Sequence, residues 1–125
     1  MNETYKIRVS YNLKDGSSEQ SLVILILRWN NNTVKLSTRQ KVLVAAWDKE
    51  KQCCFTSDEK FTERQNRQSK KVNKILDTLR KEILDNTTIY YGDDVSQKDA
   101  TKLYAQKILN RILGKEQEED DKKKV

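Results

Sequence analysis

The stretch "RWNNNTVKLSTRQKV", Arg28 to Val42, decides how the chain is read. Three consecutive asparagines separate two segments in which apolar residues alternate with basic or hydroxyl ones. Asparagine tolerates the left-handed backbone that tight turns need, and alternation with period two marks a half-buried strand. The stretch therefore predicts a β-hairpin. A two-residue turn at Asn31-Asn32 would set Trp29 opposite Val34, Arg28 opposite Lys35 and Leu27 opposite Leu36. One face is then Trp29, Val34, Leu27 and Leu36, and the other carries Arg28, Lys35, Ser37 and Arg39. Hydrophobic pattern and turn agree, as a defined register requires.

Outward from the hairpin, "YKIRVSYN" (Tyr5 to Asn12) alternates strictly, with Tyr5, Ile7, Val9 and Tyr11 on one face and Lys6, Arg8, Ser10 and Asn12 on the other. It predicts a third strand. "SLVILILRW" (Ser21 to Trp29) is apolar on both faces until Arg28, as suits a central strand covered on one side and partly on the other. Between them "KDGSS" is turn chemistry, with Asp15-Gly16 offering positive-φ positions. A two-residue turn there would put the first strand's apolar face opposite the wrong side of the hairpin. A loop of odd length repairs this and brings Lys6, Arg8 and Ser10 beside Arg28 and Lys35.

"VLVAAWDKEKQCC" (Val42 to Cys54) reads as a loop or short turn around Trp47-Asp48 that packs the indole on the sheet. Phe61 to Asp85 predicts a long helix. Thr62 and Gln65 have capping-box spacing, and Val72, Ile75, Leu76, Leu79 and Ile83 recur at helical spacing. "NTTIYYGDD" (Asn86 to Asp94) breaks the pattern. A second helix follows from Ser96, with Ser96 and Asp99 as a cap, Ala100, Leu103, Tyr104, Ile108 and Ile112 as its apolar stripe, and Gly114 as its stop. Lys115 to Val125 carries an acidic block and then a basic one, with no apolar residue until Val125, and predicts a tail without structure. The expected fold class is α+β: a three-stranded antiparallel sheet packed against a long helix, with a second C-terminal helix. The expected divisions are 1–85, a helical extension over 86–114 and the tail 115–125.

The composition narrows the function. Of 125 residues 35% are apolar and 35% charged, so any core is small. Residues 1–85 carry 17 Lys and Arg against 11 Asp and Glu, whereas 86–125 carry 8 against 8. The whole excess of +6 therefore lies in the first two thirds, which favours a polyanionic partner there, although a solvated surface would carry the same charge. The adjacent Cys53 and Cys54 supply no disulfide framework. With no histidine in the chain, they read as small, partly buried residues rather than zinc ligands, and no cofactor is expected. Met1 to Asn12 is charged and alternating, unlike a signal peptide, and Ser21 to Leu27 is too short to cross a bilayer. The expected setting is a reducing cytoplasm. Sequons at Asn2, Asn31 and Asn86 carry no weight without a secretory signal.

The order of strand, strand, "RWNNNTVKLSTRQKV", "AWD" and polar helix resembles the amino-terminal arm-type DNA-binding domain of tyrosine recombinases, most nearly integrases of Bacteroides-type mobile elements. The residues that carry the likeness are Leu36-Ser37-Thr38, Val42 and Trp47-Asp48, within Tyr5 to Leu84. The chain departs from the family in having Arg39 where a glycine is usual, and in lacking a proline before Trp47-Asp48. The resemblance implies a sheet that enters the major groove of duplex DNA, in a module of a site-specific integrase that acts in DNA integration and recombination. A β-ribbon fits that groove. Lys6, Arg8, Arg28, Lys35, Ser37 and Arg39 would then face the DNA, with Arg28 and Lys35 nearest. Lys14, Lys41 and the turn of Asn30, Asn31 and Asn32 would touch phosphates.

Tyrosine recombinases cleave with a tyrosine beside arginines, a lysine and histidine-containing positions. This chain has no histidine and no HxxR motif, so the expectation is a binding module and not an enzyme, either a piece of an integrase or a short stand-alone relative. Residues 96–113 are open to three readings: the start of a core-binding domain, a second cover for the sheet, or a surface that pairs with another protomer. The competing function is a protein–protein interaction module whose amphipathic helices assemble with recombination partners. A small-molecule substrate and a membrane are not expected.

Overall fold

The computed structural model describes residues 4–5, 7–29, 32–86, 89–90 and 96–123, and side chains over 7–29, 32–85 and 101–114. The strands are β1 (Thr4–Tyr5), β2 (Arg8–Leu13), β3 (Gln20–Trp29), β4 (Asn32–Leu43), β5 (Trp47–Asp48), β6 (Cys53–Cys54) and β7 (Ile89–Tyr90), and the helices are α1 (Glu63–Asn86) and α2 (Ser96–Lys123). β2, β3 and β4 form an antiparallel sheet in that order. The α+β expectation holds: α1 and α2 together cover one face of this sheet.

β3 is central because it is apolar on both sides. Its inward residues Val23, Leu25, Leu27 and Trp29 are completely or almost completely buried. They meet Val34 and Leu36 of β4, Tyr11 of β2, and Val72, Ile75, Leu76, Leu79 and Ile83 of α1. These five α1 residues are the stripe its spacing predicts. The capping box also forms, with the Thr62 amide donating to Gln65 Oε1 at 2.8 Å and the Gln65 amide donating to Thr62 Oγ1 at 3.1 Å. α1 accordingly begins at Glu63 rather than Phe61.

Several expectations need correction. The hairpin register is two residues off the expected one: Trp29 pairs with Asn32, Arg28 with Thr33, Leu27 with Val34 and Ile26 with Lys35. Asn32 is thus a strand residue and not a turn residue, while Asn30 and Asn31 lie outside the described residues. A slip of two leaves every side chain on its own face, so the alternation that identifies the faces is blind to it. The expected first strand is divided. Thr4 and Tyr5 pair with Tyr90 and Ile89 in a separate ribbon, and only Arg8 to Leu13 joins the main sheet. The β2–β3 loop does have odd length, since Arg8 pairs with Arg28 and Leu13 with Val23. Gly16 is not left-handed. The Asp15 carboxylate shapes the loop instead, accepting from the Ser17 amide at 3.0 Å and from the hydroxyls of Ser17 and Ser18.

α2 closes over the sheet as a second cover, burying Thr101, Ala105, Ile108 and Leu109 against α1 and β4. The stripe is therefore not the expected one. Ile108 belongs to it and Ile112 is half-buried, but Leu103 and Tyr104 face solvent, at 64% and 44% exposure. Apolar residues lie all round this helix, so periodicity alone does not choose its buried side. α2 passes through Gly114, where a stop was expected, and its backbone continues to Lys123, where a structureless tail was expected. A helical glycine costs only about 1 kcal/mol, and Glu118 and Glu119 stand four residues before Lys122 and Lys123, the spacing that favours a helix. The Ser96 and Asp99 cap and the Ala100 side chain lie outside the described side chains.

The Trp47-Asp48 pair is structural. Trp47 packs into the core, and Asp48 Oδ1 accepts from the amides of Glu50 and Lys51 at 3.0 and 3.2 Å, turning β5 back into β6. The Asn73 side chain then ties β6 to α1, donating to the Cys54 carbonyl at 2.9 Å and accepting from its amide at 2.8 Å. Cys54 is buried and Cys53 half-buried. Burial, against an opposing hydrogen bond from Ser69, pushes the Cys54 thiol up to about 11, which makes it a packing residue rather than a nucleophile.

A bulge in β4 holds the sheet in its shape. Between Ile24–Ser37 and Leu22–Lys41 the register shifts, so Thr38, Arg39 and Gln40 together lie opposite Val23. Thr38 is fully buried; its hydroxyl donates to the Val23 carbonyl at 2.7 Å and accepts from the Gln40 amide at 3.2 Å. Thr38→Val keeps the shape and strands both backbone groups. It should destabilise the fold by about 2 kcal/mol in urea unfolding, and an unchanged midpoint would remove the bulge from the forces that hold the sheet.

Candidate nucleic-acid interface

The other face of the β2–β3–β4 sheet is turned away from both helices. Four cross-strand rows compose it. They run Arg8–Arg28–Thr33, Ser10–Ile26–Lys35, Asn12–Ile24–Ser37 and, at the far end, Lys14–Leu22–Lys41. Lys14 joins the last row through its amide, which donates to the Leu22 carbonyl at 2.9 Å. From Arg28 to Leu22 the rows span about 20 Å, at roughly 3.3 Å per strand residue, and three strands are about 10 Å across. The B-DNA major groove is about 12 Å wide.

The three strands carry Arg8, Arg28, Lys35, Arg39 and Lys41 and not one Asp or Glu. All five cations are exposed, and among the described residues none of them is held in an ion pair. Arg8 and Arg28 are direct cross-strand partners. Like charges placed so are destabilising in an isolated sheet.

The structure thus brings together Arg8, Lys14, Arg28, Lys35, Ser37 and Lys41 of the expected residues, all exposed on this side. Lys6 and Asn31 lie outside the described residues. The expected Arg28–Lys35 pairing does not form. Arg28 stands between Arg8 and Thr33, one row from Lys35, as the two-residue register difference requires. Arg39 belongs to the bulge rather than to a regular row. Its φ is 60°, a left-handed conformation that an L side chain rarely adopts, and its amide donates to Ser37 Oγ at 3.1 Å.

Sequence reasoning missed one part of this face. Arg80 of α1 lines a groove with Arg8 and Arg28 at the β2 edge, and no periodicity in α1 announces it. Its guanidinium donates to the Val9 carbonyl at 3.0 Å and sits 5.9 Å from the Tyr11 ring centroid. The apolar middle of the face is what a central strand apolar on both sides predicts. Ile26 is buried there, and Ile24 and Leu22 are half-buried.

No known protein family, curated protein or solved structure matches the chain. Among the described residues no helix is long and apolar enough to cross a membrane.

Two measurements probe the rim of this face. Arg39→Gly relieves the left-handed strain and should raise stability by about 1 kcal/mol, seen as a higher urea midpoint at unchanged slope; a lower midpoint would mean that the side chain contributes more than its backbone costs. In the adjoining loop, hydrogen bonds from the Ser17 and Ser18 hydroxyls and the Ser17 amide hold the Asp15 carboxyl down at about 2. A carboxyl lowered on folding stabilises the loop above its unfolded value of about 3.9, and loses that contribution as pH falls toward the folded value. The Ser17 amide resonance should accordingly titrate with a midpoint near 2; a midpoint near 4 would mean that the loop does not hold the carboxylate.

Proposed function

We propose that this chain binds duplex DNA through the outer face of the β2–β3–β4 sheet, as a non-catalytic arm-type module of a site-specific integrase acting in the cytoplasm on a mobile element. One observation carries the reading: five exposed cations and no acid on three adjacent strands, with Arg8 and Arg28 directly opposed. A polyanion turns that repulsion into an asset. Row dimensions support the major groove as the place where the sheet lies. Arg8, Arg28 and Lys35 reach furthest into it, while Lys14, Arg39 and Lys41 take phosphates along one end. Arg80 is already engaged with Val9 and Tyr11, and supplies field rather than contact.

Leu103 and Tyr104 favour a second reading, in which α2 docks on a recombination partner. The two readings use opposite sides of the molecule and separate cleanly.

The test is binding of a fluorescent random-sequence duplex over a salt series, for wild type and for Arg28→Ala/Lys35→Ala. Each phosphate contact contributes about −0.9 to the slope of log K against log salt, so the double substitution should flatten the slope by nearly two. Binding that is absent at low salt, or indifferent to both changes, would overturn the DNA reading and leave α2 as the surface to pursue.

A further inference from the structure

We infer that this face reads A·T base pairs, with Ile24 taking the thymine methyl group and Asn12 the adenine edge. The inference rests on the DNA-binding reading above and names what that site selects.

The central strand occupies the middle of the face, and its outward residues run Arg28, Ile26, Ile24, Leu22. Charge ends after the first of them. Ile26 is 3% exposed, enclosed by Ser10 and Lys35 across the strands and by Arg28 and Ile24 along its own. Ile24 and Leu22 remain half-open and floor a shallow groove with Asn12, Lys14, Lys35 and Ser37 around them. An aliphatic floor offers nothing to a phosphate. In the major groove the one apolar feature of a base edge is the C5-methyl of thymine. Arg8 and Arg28 stand at one end of the face and Lys14 and Lys41 at the other, and the aliphatic groups stand between them, in the centre, where base edges lie.

The row through Ile24 adds a second match. Asn12 and Ser37 flank Ile24 on either side. A carboxamide can pair bidentately with adenine N6 and N7, and a hydroxyl accepts or donates at any base. Neighbouring strands are about 4.8 Å apart, so an amide suited to adenine and an aliphatic group suited to thymine stand side by side in one row. β-propensity alone would explain isoleucine in a strand. It does not explain why the flanks of that isoleucine are amide and hydroxyl while Arg8, Arg28, Lys35, Lys14 and Lys41 all lie in other rows.

The experiment removes only the methyl groups. Duplexes selected for binding from a random-sequence pool are remade with thymidine or with deoxyuridine, and bound to wild type, Ile24→Ser, Ile24→Val and Asn12→Ala. Burying one methyl is worth about 4-fold in affinity, so the contact at Ile24 should make the thymidine duplex about 4-fold tighter for wild type. Ile24→Val should keep part of that preference and Ile24→Ser should reduce it below about 2-fold, both with an unchanged salt slope because no charge is altered. Asn12→Ala should lose the enrichment of A·T pairs in the selected sequences. Equal affinity of wild type for the two duplexes, with salt-steep binding intact, overturns the thymine reading and leaves the DNA reading standing. No binding to either overturns both. The wild-type comparison does not depend on any variant folding.

Discussion

The bulge opposite Val23 is the constraint on which the rest depends. β4 spends two more residues than β3 between the pairs Ile24–Ser37 and Leu22–Lys41. Because the excess is two, the pleat keeps its phase: Val34, Leu36, Thr38 and Val42 all point to the helices, and Lys35, Ser37 and Lys41 all point away. An excess of one would have turned Val42 outward and sent Lys41 into the core. The Thr38 hydroxyl fixes the count by bonding to the Val23 carbonyl across the bulge. Core and cationic face are therefore set by the same local device, and neither can be altered there without the other.

The edges of the sheet receive separate attention. β2 is an outer strand, and an unpaired strand edge invites pairing with another chain. Here the Tyr11 amide donates to Gln52 Oε1 at 2.9 Å and the Val9 carbonyl accepts from Arg80 at 3.0 Å. Gln52 reaches that position from a left-handed backbone, φ 56°, at the end of the turn that Asp48 organises. The Tyr11 hydroxyl, its pKa driven up by burial, donates inward to the Leu76 carbonyl at 2.6 Å. One strand is thus held along its edge by the β5–β6 ribbon and α1, and across its face by α1. The Gln52 and Arg80 bonds occupy backbone groups at which a further strand would pair.

How much of this could be read from the sequence follows from what alternation and spacing encode. The alternation in Arg28 to Val42 encodes which face a residue takes, and those assignments hold from Arg28 to Ser37. It does not encode register, because slips by two are equivalent in hydrophobic pattern, so Arg28 and Lys35 appeared to be partners when they stand one row apart. The parity of the β2–β3 loop was legible, since a mistaken parity would have buried Arg8. The α1 stripe and its Thr62–Gln65 box were legible because both are local in sequence. The burial of Thr101 and Ala105 in place of Leu103 and Tyr104 was not. That choice is made by the surface α2 meets, at the junction of α1 and β4, and small residues allow the closest approach there.

Several departures from what stability alone would choose lie on the outer face of the β2–β3–β4 sheet. Arg8 and Arg28 repel across the strands. Arg39 keeps a cation where the backbone favours glycine. Ile24 and Leu22 hold aliphatic groups half-open to water while Val23 and Leu25, their neighbours on the same strand, are completely buried. Each departure costs on the order of 1 kcal/mol or less, which a domain stable by 5–15 kcal/mol can carry. On three strands that carry no acid, they are what the proposed DNA binding, rather than folding, would select. The core side of the central strand shows none of them: there propensity, pattern and packing agree at Val23, Leu25, Leu27 and Trp29.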